Sequence, residues 1–199
     1  MANFTIGGNP AKTSGKLPRV GEKAPDFLLT RTDLTDISLK DVAGKRVVLN
    51  IFPSVDTSVC STSVRRFNKE IKNYADALVL CVSLDLPFTH KRFCETEGIK
   101  DVIPVSELRN REFGRDYGLR IVDGPFAGLL ARAVVVIDQQ GTVVFSMLVP
   151  ELETEPDYGR VLAVLAKTTI PQEVCTQTST AEHSRPNEED EPCDDGRAG

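Results

Sequence analysis

Three short aliphatic runs stand out from an otherwise mixed chain: residues 46–52 (RVVLNIF), 77–83 (ALVLCVS) and 131–138 (ARAVVVID). They are apolar at consecutive rather than alternating positions and rich in β-branched residues, which predicts strands buried on both faces of a sheet. The first two are each followed by a stretch with helical spacing, and this makes them parallel βα units. Residues 138–141 (DQQG) join the third run to residues 142–149 (TVVFSMLV). Glycine there supplies a left-handed turn position, so this pair is read as an antiparallel hairpin. A last helix is expected over residues 156–167, and residues 4–15, with Gly-Gly-Asn-Pro at their centre, read as an added hairpin.

The helix after the first run is the most sharply defined. Pro53 ends the strand, Asp56 or Thr57 offers a capping oxygen, and Val64, Phe67, Ile71 and Tyr74 recur at 3-4-3 spacing. A helix starting near Thr57 follows. Stepping its apolar stripe back four residues from Val64 reaches Cys60, which places a thiol in the first turn, facing inward at the positive end of the helix. A parallel strand pair, an antiparallel hairpin and a closing helix give the order of a thioredoxin-like fold. The expected class is α/β, a central mixed sheet flanked by helices, with the N-terminal β-hairpin as an extension.

Composition bounds this picture. A chain of 199 residues with 40% hydrophobic content has enough apolar surface for one good-sized core. Five cysteines are too few for a disulfide-stapled secreted scaffold, and an odd number leaves one unpaired. No leader-like apolar segment opens the sequence and no run approaches the roughly 18 apolar residues of a membrane span. These features point to a cytoplasmic protein that does not enter a membrane.

The net charge of −5 is unevenly spread. Residues 171–199 hold eight Asp/Glu against two Arg, whereas the rest of the chain carries +1. A nearly neutral body excludes nucleic acid as a main partner, because phosphate binding demands a clear Lys/Arg excess. The tail has almost no aliphatic and no aromatic residues, so it lacks the means to offset the entropy of ordering. The expected organisation is a domain over 1–167 and an acidic, disordered tail over 168–199. The stretch GGNPAKTSGK is not a phosphate loop, since Ala11 stands where the glycine before Lys12 belongs.

The chemistry concentrates on Cys60. Position alone leaves a packed core thiol and a reactive one both open, because free cysteine is among the most buried residue types. An ordinary thiol is only a few per cent ionised at neutral pH, and bringing a thiol from about 8.5 to about 6 takes roughly 3.4 kcal/mol. A helix terminus supplies about 0.3–1 kcal/mol, so a reactive thiol here also needs a cation. Arg65 and Arg66 lie one turn on and read as solvated helix surface. Arg132 differs: it is a lone guanidinium at the head of an apolar strand and requires an anionic or carbonyl partner.

Pro53-x3-Thr57-x2-Cys60, within NIFPSVDTSVC, is the peroxidatic motif of the peroxiredoxins. Together with SLDLPFTHKRFC, residues 113–118, ARAVVVID and EPDY, the chain over residues 1–167 resembles the bacterial thiol peroxidases, the atypical two-cysteine peroxiredoxins. The resemblance implies a thiol-dependent peroxidase acting on hydrogen peroxide and organic hydroperoxides. Carried over, it makes Cys60 the peroxidatic cysteine and Cys94 the resolving one. Thr57 and Arg132 then orient and polarise the peroxide, and Pro53 shields the pocket. It also implies a Cys60–Cys94 disulfide reduced by thioredoxin, a homodimer, and neither cofactor nor metal. The tail, with Cys175 and Cys193, lies outside the family pattern.

Other residues read more plainly. Cys81, among aliphatics, is expected to be a packed core thiol, and Cys94, taken alone, a half-buried helix residue. His90 and Cys94 stand at metal-ligand spacing on a helix, but two ligands do not make a zinc site. A thiol-disulfide oxidoreductase would carry Cys-x-x-Cys, and Cys60-Ser61-Thr62-Ser63 lacks the second cysteine. A non-catalytic redox sensor of the same fold remains the alternative. With Pro87 in the first turn of its helix, Cys94 lies about 10 Å along that axis. Cys60 lies in the first turn of the adjacent helix, so a Cys60–Cys94 disulfide is expected to unwind the first turn around Cys60, the Cys94 segment, or both.

Overall fold

The structure is a computed structural model and describes residues 1–167; the expected acidic tail, with Cys175 and Cys193, lies outside the described residues. The three aliphatic runs form β5 (Arg46–Ile51), β6 (Ala77–Ser83) and β8 (Ala133–Ile137), and the hairpin partner of the last is β9 (Val143–Leu148). β5 and β6 pair in parallel, while β8 runs antiparallel to both β5 and β9. Their side chains alternate between two cores. Val47, Leu49 and Ile51 enter one, and Val48, Val79, Cys81, Val134 and Val136 enter the other. That two-sided burial is why these strands are apolar at every position.

Three further strands complete the sheet. β3 (Leu28–Arg31), β4 (Asp36–Ser38) and β7 (Ile103–Ser106) extend it to seven strands in the order β4-β3-β7-β6-β5-β8-β9. β7 carries Pro104, which lacks the N–H a central strand needs. The conflict resolves locally: β3 pairs with β7 only at Val105 and Ser106, so Pro104 lies beyond the end of β3 and pairs on one side, with Cys81. The central mixed sheet and its flanking helices are thus the expected thioredoxin-like arrangement.

Helix α1 (Ser58–Glu70) connects β5 to β6, and α2 (Pro87–Glu97) connects β6 to β7. Parallel crossovers of one hand put both helices on one face of the sheet. Val64 and Phe67 of α1, Ile71 in the 3-10 turn that follows, and Phe93 and Cys94 of α2 all pack in the core on that face. The last helix, α4 (Tyr158–Lys167), joins them through Val161 and Leu165. Arg65 of α1 pairs with Glu97 of α2 at 2.8 Å, and the Asn68 Oδ1 accepts from the backbone N–H groups of Lys100 and Asp101.

The opposite core is covered by the N-terminal hairpin, β1 (Asn3–Ile6) and β2 (Asn9–Lys12), and by α3 (Glu112–Asp116). Gly7 and Gly8, with φ of 55° and 79°, turn the hairpin in the left-handed region that other residues avoid. The hairpin is fastened by Glu151, whose carboxylate accepts from the Thr5 hydroxyl at 2.7 Å and from the N–H groups of Gly7 and Gly8 at 3.0 Å. These bonds hold the Glu151 pKa down at about 2.

Candidate active site

Cys60 occupies the third position of α1 and is fully buried. Helix geometry leaves the first-turn N–H groups without intrahelical partners, so the positive end of the dipole lies beside this sulfur. The Thr57 hydroxyl donates to Cys60 Sγ at 2.7 Å and also lies 3.2 Å from the Ser54 carbonyl. This corrects the capping expectation. Thr57 is the N-cap residue, yet its side chain makes no cap hydrogen bond, because the hydroxyl is engaged with the thiol and the loop behind it.

Arg132, immediately before β8, is 3% exposed. Its Nε donates to the Leu152 carbonyl at 2.9 Å and its Nη2 lies 3.4 Å from Cys60 Sγ. The Nη1 is buried without a hydrogen-bond partner among the described residues. The guanidinium thus meets a carbonyl, one of the partners foreseen for it, and the sulfur of Cys60. The other two arginines considered are used elsewhere. Arg65 pairs with Glu97, and Arg66 sits over the Tyr158 ring at 4.7 Å.

A cavity of about 330 Å³ opens beside these groups, lined by Pro53, Thr57, Val59, Phe126, Arg132 and Glu153 among others. Thr57 and Arg132, the polar partners of the Cys60 sulfur among the described residues, therefore line it, and Pro53 forms part of its wall. Phe126, Leu152 and Glu153 come from segments that carry no periodic signal, so spacing does not single them out.

Cys94 is half-buried in α2 and packs against the same core as Cys60 and Cys81. Burial, reinforced by Glu95, pushes its thiol up to about 11. Cys81 is fully buried, and burial pushes it up to about 12, the opposing bond from Asn50 Nδ2 notwithstanding. Burial thus disfavours the reactive thiolate form of both where they stand. Arg65 of α1 pairs with Glu97 of α2, and Asp56, just ahead of α1, with Arg92 of α2, so the two helices lie side by side. Separation of the sulfurs then rests on what each one faces: Cys60 on Thr57 and Arg132, Cys94 on the core beside Cys81.

His90 is buried, and its Nε2 lies 2.9 Å from the Ser83 hydroxyl. Among the described residues no group of three or more His, Cys, Asp or Glu is placed to hold a metal ion. No helix among them is long and apolar enough to cross a membrane.

Comparison with known proteins matches these features to one group. The Redoxin family model covers residues 19–162. Thiol peroxidases of Mycobacterium tuberculosis and Mycobacterium bovis are each 54% identical over 165 residues, which is 83% of this chain and 99% of theirs. The crystal structure of a peroxiredoxin-like protein from Aquifex aeolicus superposes with a TM-score of 0.80 at 35% identity, covering 84% of this chain and 97% of that one. A thiol peroxidase from Chromobacterium violaceum shares the fold, with a TM-score of 0.77 at 20% identity over 84% of this chain and 97% of its own. A buried helix-end thiol held between a threonine and an arginine, in a chain this similar to named relatives, leads to one conclusion: the chain belongs to the Redoxin family and, within it, to the thiol peroxidases, which makes it a peroxidase enzyme.

Proposed function

We propose that the chain reduces hydrogen peroxide and organic hydroperoxides at Cys60, resolves the product through Cys94, and is returned to the dithiol form by thioredoxin. The observation that carries the reading is the Cys60 sulfur held at a helix N-terminus by the Thr57 hydroxyl and the Arg132 guanidinium, both of which line a cavity. The Cys60 thiolate attacks the distal peroxide oxygen in line. The O–O bond breaks, an S–O bond forms, and the leaving alkoxide or hydroxide takes up a proton to depart as alcohol or water. Arg132 suits the charge that spreads along S–O–O, since its Nη1 still has a donor to offer.

Cys60 is then a sulfenic acid. The Cys94 thiol condenses with it, water leaves, and a disulfide forms before further peroxide drives Cys60 to the sulfinic acid. A thiol at about 11 is a poor nucleophile, so Cys94 becomes competent on leaving its half-buried place in α2. Two further parts of the reading are that the enzyme works in the cytoplasm and as a homodimer. Peroxide consumption coupled to NADPH oxidation through thioredoxin reductase and thioredoxin tests the function. Sustained turnover is expected from the full chain and none from Cys60→Ser. Oxidation that stops after a single disulfide per chain, with no turnover, would instead favour the redox sensor.

A further inference from the structure

Asp85 sits between β6 and α2, outside the residues that touch Cys60, yet its carboxylate reaches across to the Cys60 loop. Oδ1 accepts from the Ser54 hydroxyl at 2.7 Å, and Oδ2 accepts from the Val55 N–H and the Ser83 hydroxyl, both at 2.7 Å. Ser54 is the residue whose carbonyl receives the Thr57 N–H and lies against the Thr57 hydroxyl, each at 3.2 Å. The line of contacts runs from Asp85 through Ser54 to Thr57 and so to the Cys60 sulfur.

The same carboxylate is braced from the α2 side. Ser83 gives its one hydroxyl proton to Asp85, so its oxygen accepts from the Asp85 N–H at 3.1 Å and from His90 Nε2 at 2.9 Å. That arrangement needs a proton on His90 Nε2, and burial, the leading influence on His90, favours the neutral ring over the opposing pull of Asp85 and Asp56. His90 stands one turn before Cys94 on α2. A polar network thus joins the loop before α1 to the first turn of the helix that carries Cys94.

We infer that Asp85 is a positioning residue for the peroxide step: it holds residues 54–57 in the geometry that presents Thr57 to Cys60, and ties that geometry to the folded start of α2. The inference rests on Cys60 and Cys94 acting as proposed above. Two consequences follow. Loss of the carboxylate slows attack on peroxide, which depends on a held Thr57 and Cys60. It does not slow disulfide formation, which depends on the same loop and helix coming apart.

Stopped-flow measurement on the full reduced chain separates the two steps, the first rising with peroxide concentration and the second independent of it. In Asp85→Ala the second-order constant should fall about tenfold or more, with the disulfide step no slower than in the unaltered chain. Asp85→Asn, which keeps one acceptor oxygen, should recover part of the loss. A merely structural role would lower the reacting fraction, read as amplitude, and leave both rate constants alone. Ser54→Ala removes one tie only and reads the same split if Asp85→Ala does not fold. A peroxide step within twofold of the unaltered chain in the folded variants, or both steps slowed in proportion, overturns the inference. Turnover that survives Cys60→Ser would remove the functional reading first and this inference with it.

Discussion

Cys60 and Arg132 were legible in the sequence because each breaks a local pattern: a thiol on the apolar stripe of a helix start, and a guanidinium in an aliphatic strand; Thr57 read locally only as a cap, and its place beside the thiol came from the family resemblance. The structure shows why each is tolerated. Arg132 is buried, but its charge meets a carbonyl and a sulfur rather than hydrocarbon. Arg132→Met should therefore slow the peroxide step by about 10²–10³-fold, as loss of a charge-stabilising donor does elsewhere. The same change leaves the buried Leu152 carbonyl without that donor, at a cost of about 1–3 kcal/mol. Stopped-flow kinetics and a urea melt check the two halves separately. Asp85, Ser83 and His90 were not legible in this way. Asp85 reads locally as a residue before a helix, and only the pairing of β5 with β6 brings it against Ser54.

At the scale of elements, the peroxidatic helix is bound by contacts that the proposed disulfide must break. Sulfur bridging needs Cα atoms within about 7 Å and the two thiols facing each other. Here Cys60 faces Thr57 and Arg132, and Cys94 the core near Cys81. Oxidation should lower hydrogen-exchange protection over residues 57–63 or 88–96, and equal protection in both forms would show that no unwinding is needed. The hairpin of β1 and β2 makes a separate pH prediction. Glu151 is lowered to about 2 by Thr5 and by the glycine N–H groups, so its contribution is present above the ordinary carboxylate value. It is lost as pH falls from there through about 2. Amides of residues 3–12 should lose protection over that range, and in Glu151→Gln they should be less protected already at neutral pH.

At the scale of the whole molecule, the hydrophobic pattern revealed the strands buried on both faces and missed the short strands β3, β4 and β7. β7 was hidden by Pro104, which reads as a strand breaker until the short overlap with β3 is known. β3 and β4 are four and three residues long, too short for any period to register. Nothing in residues 171–199 resembles a part of the peroxidatic motif. Removing residues 171–199 should therefore leave peroxide turnover within a few-fold, measured on the truncated and full chains side by side.

The central claim is that Cys60 is oxidised by peroxide and resolved by Cys94. It is tested most directly by treating the reduced full chain with an equimolar dose of hydroperoxide and mapping the products by mass spectrometry without reduction. The account predicts loss of the peroxide and a peptide pair joined through Cys60 and Cys94, with Cys94→Ser stalling at sulfenic or sulfinic acid on Cys60. A disulfide that excludes Cys60, or peroxide that persists beside an unmodified Cys60, would contradict it.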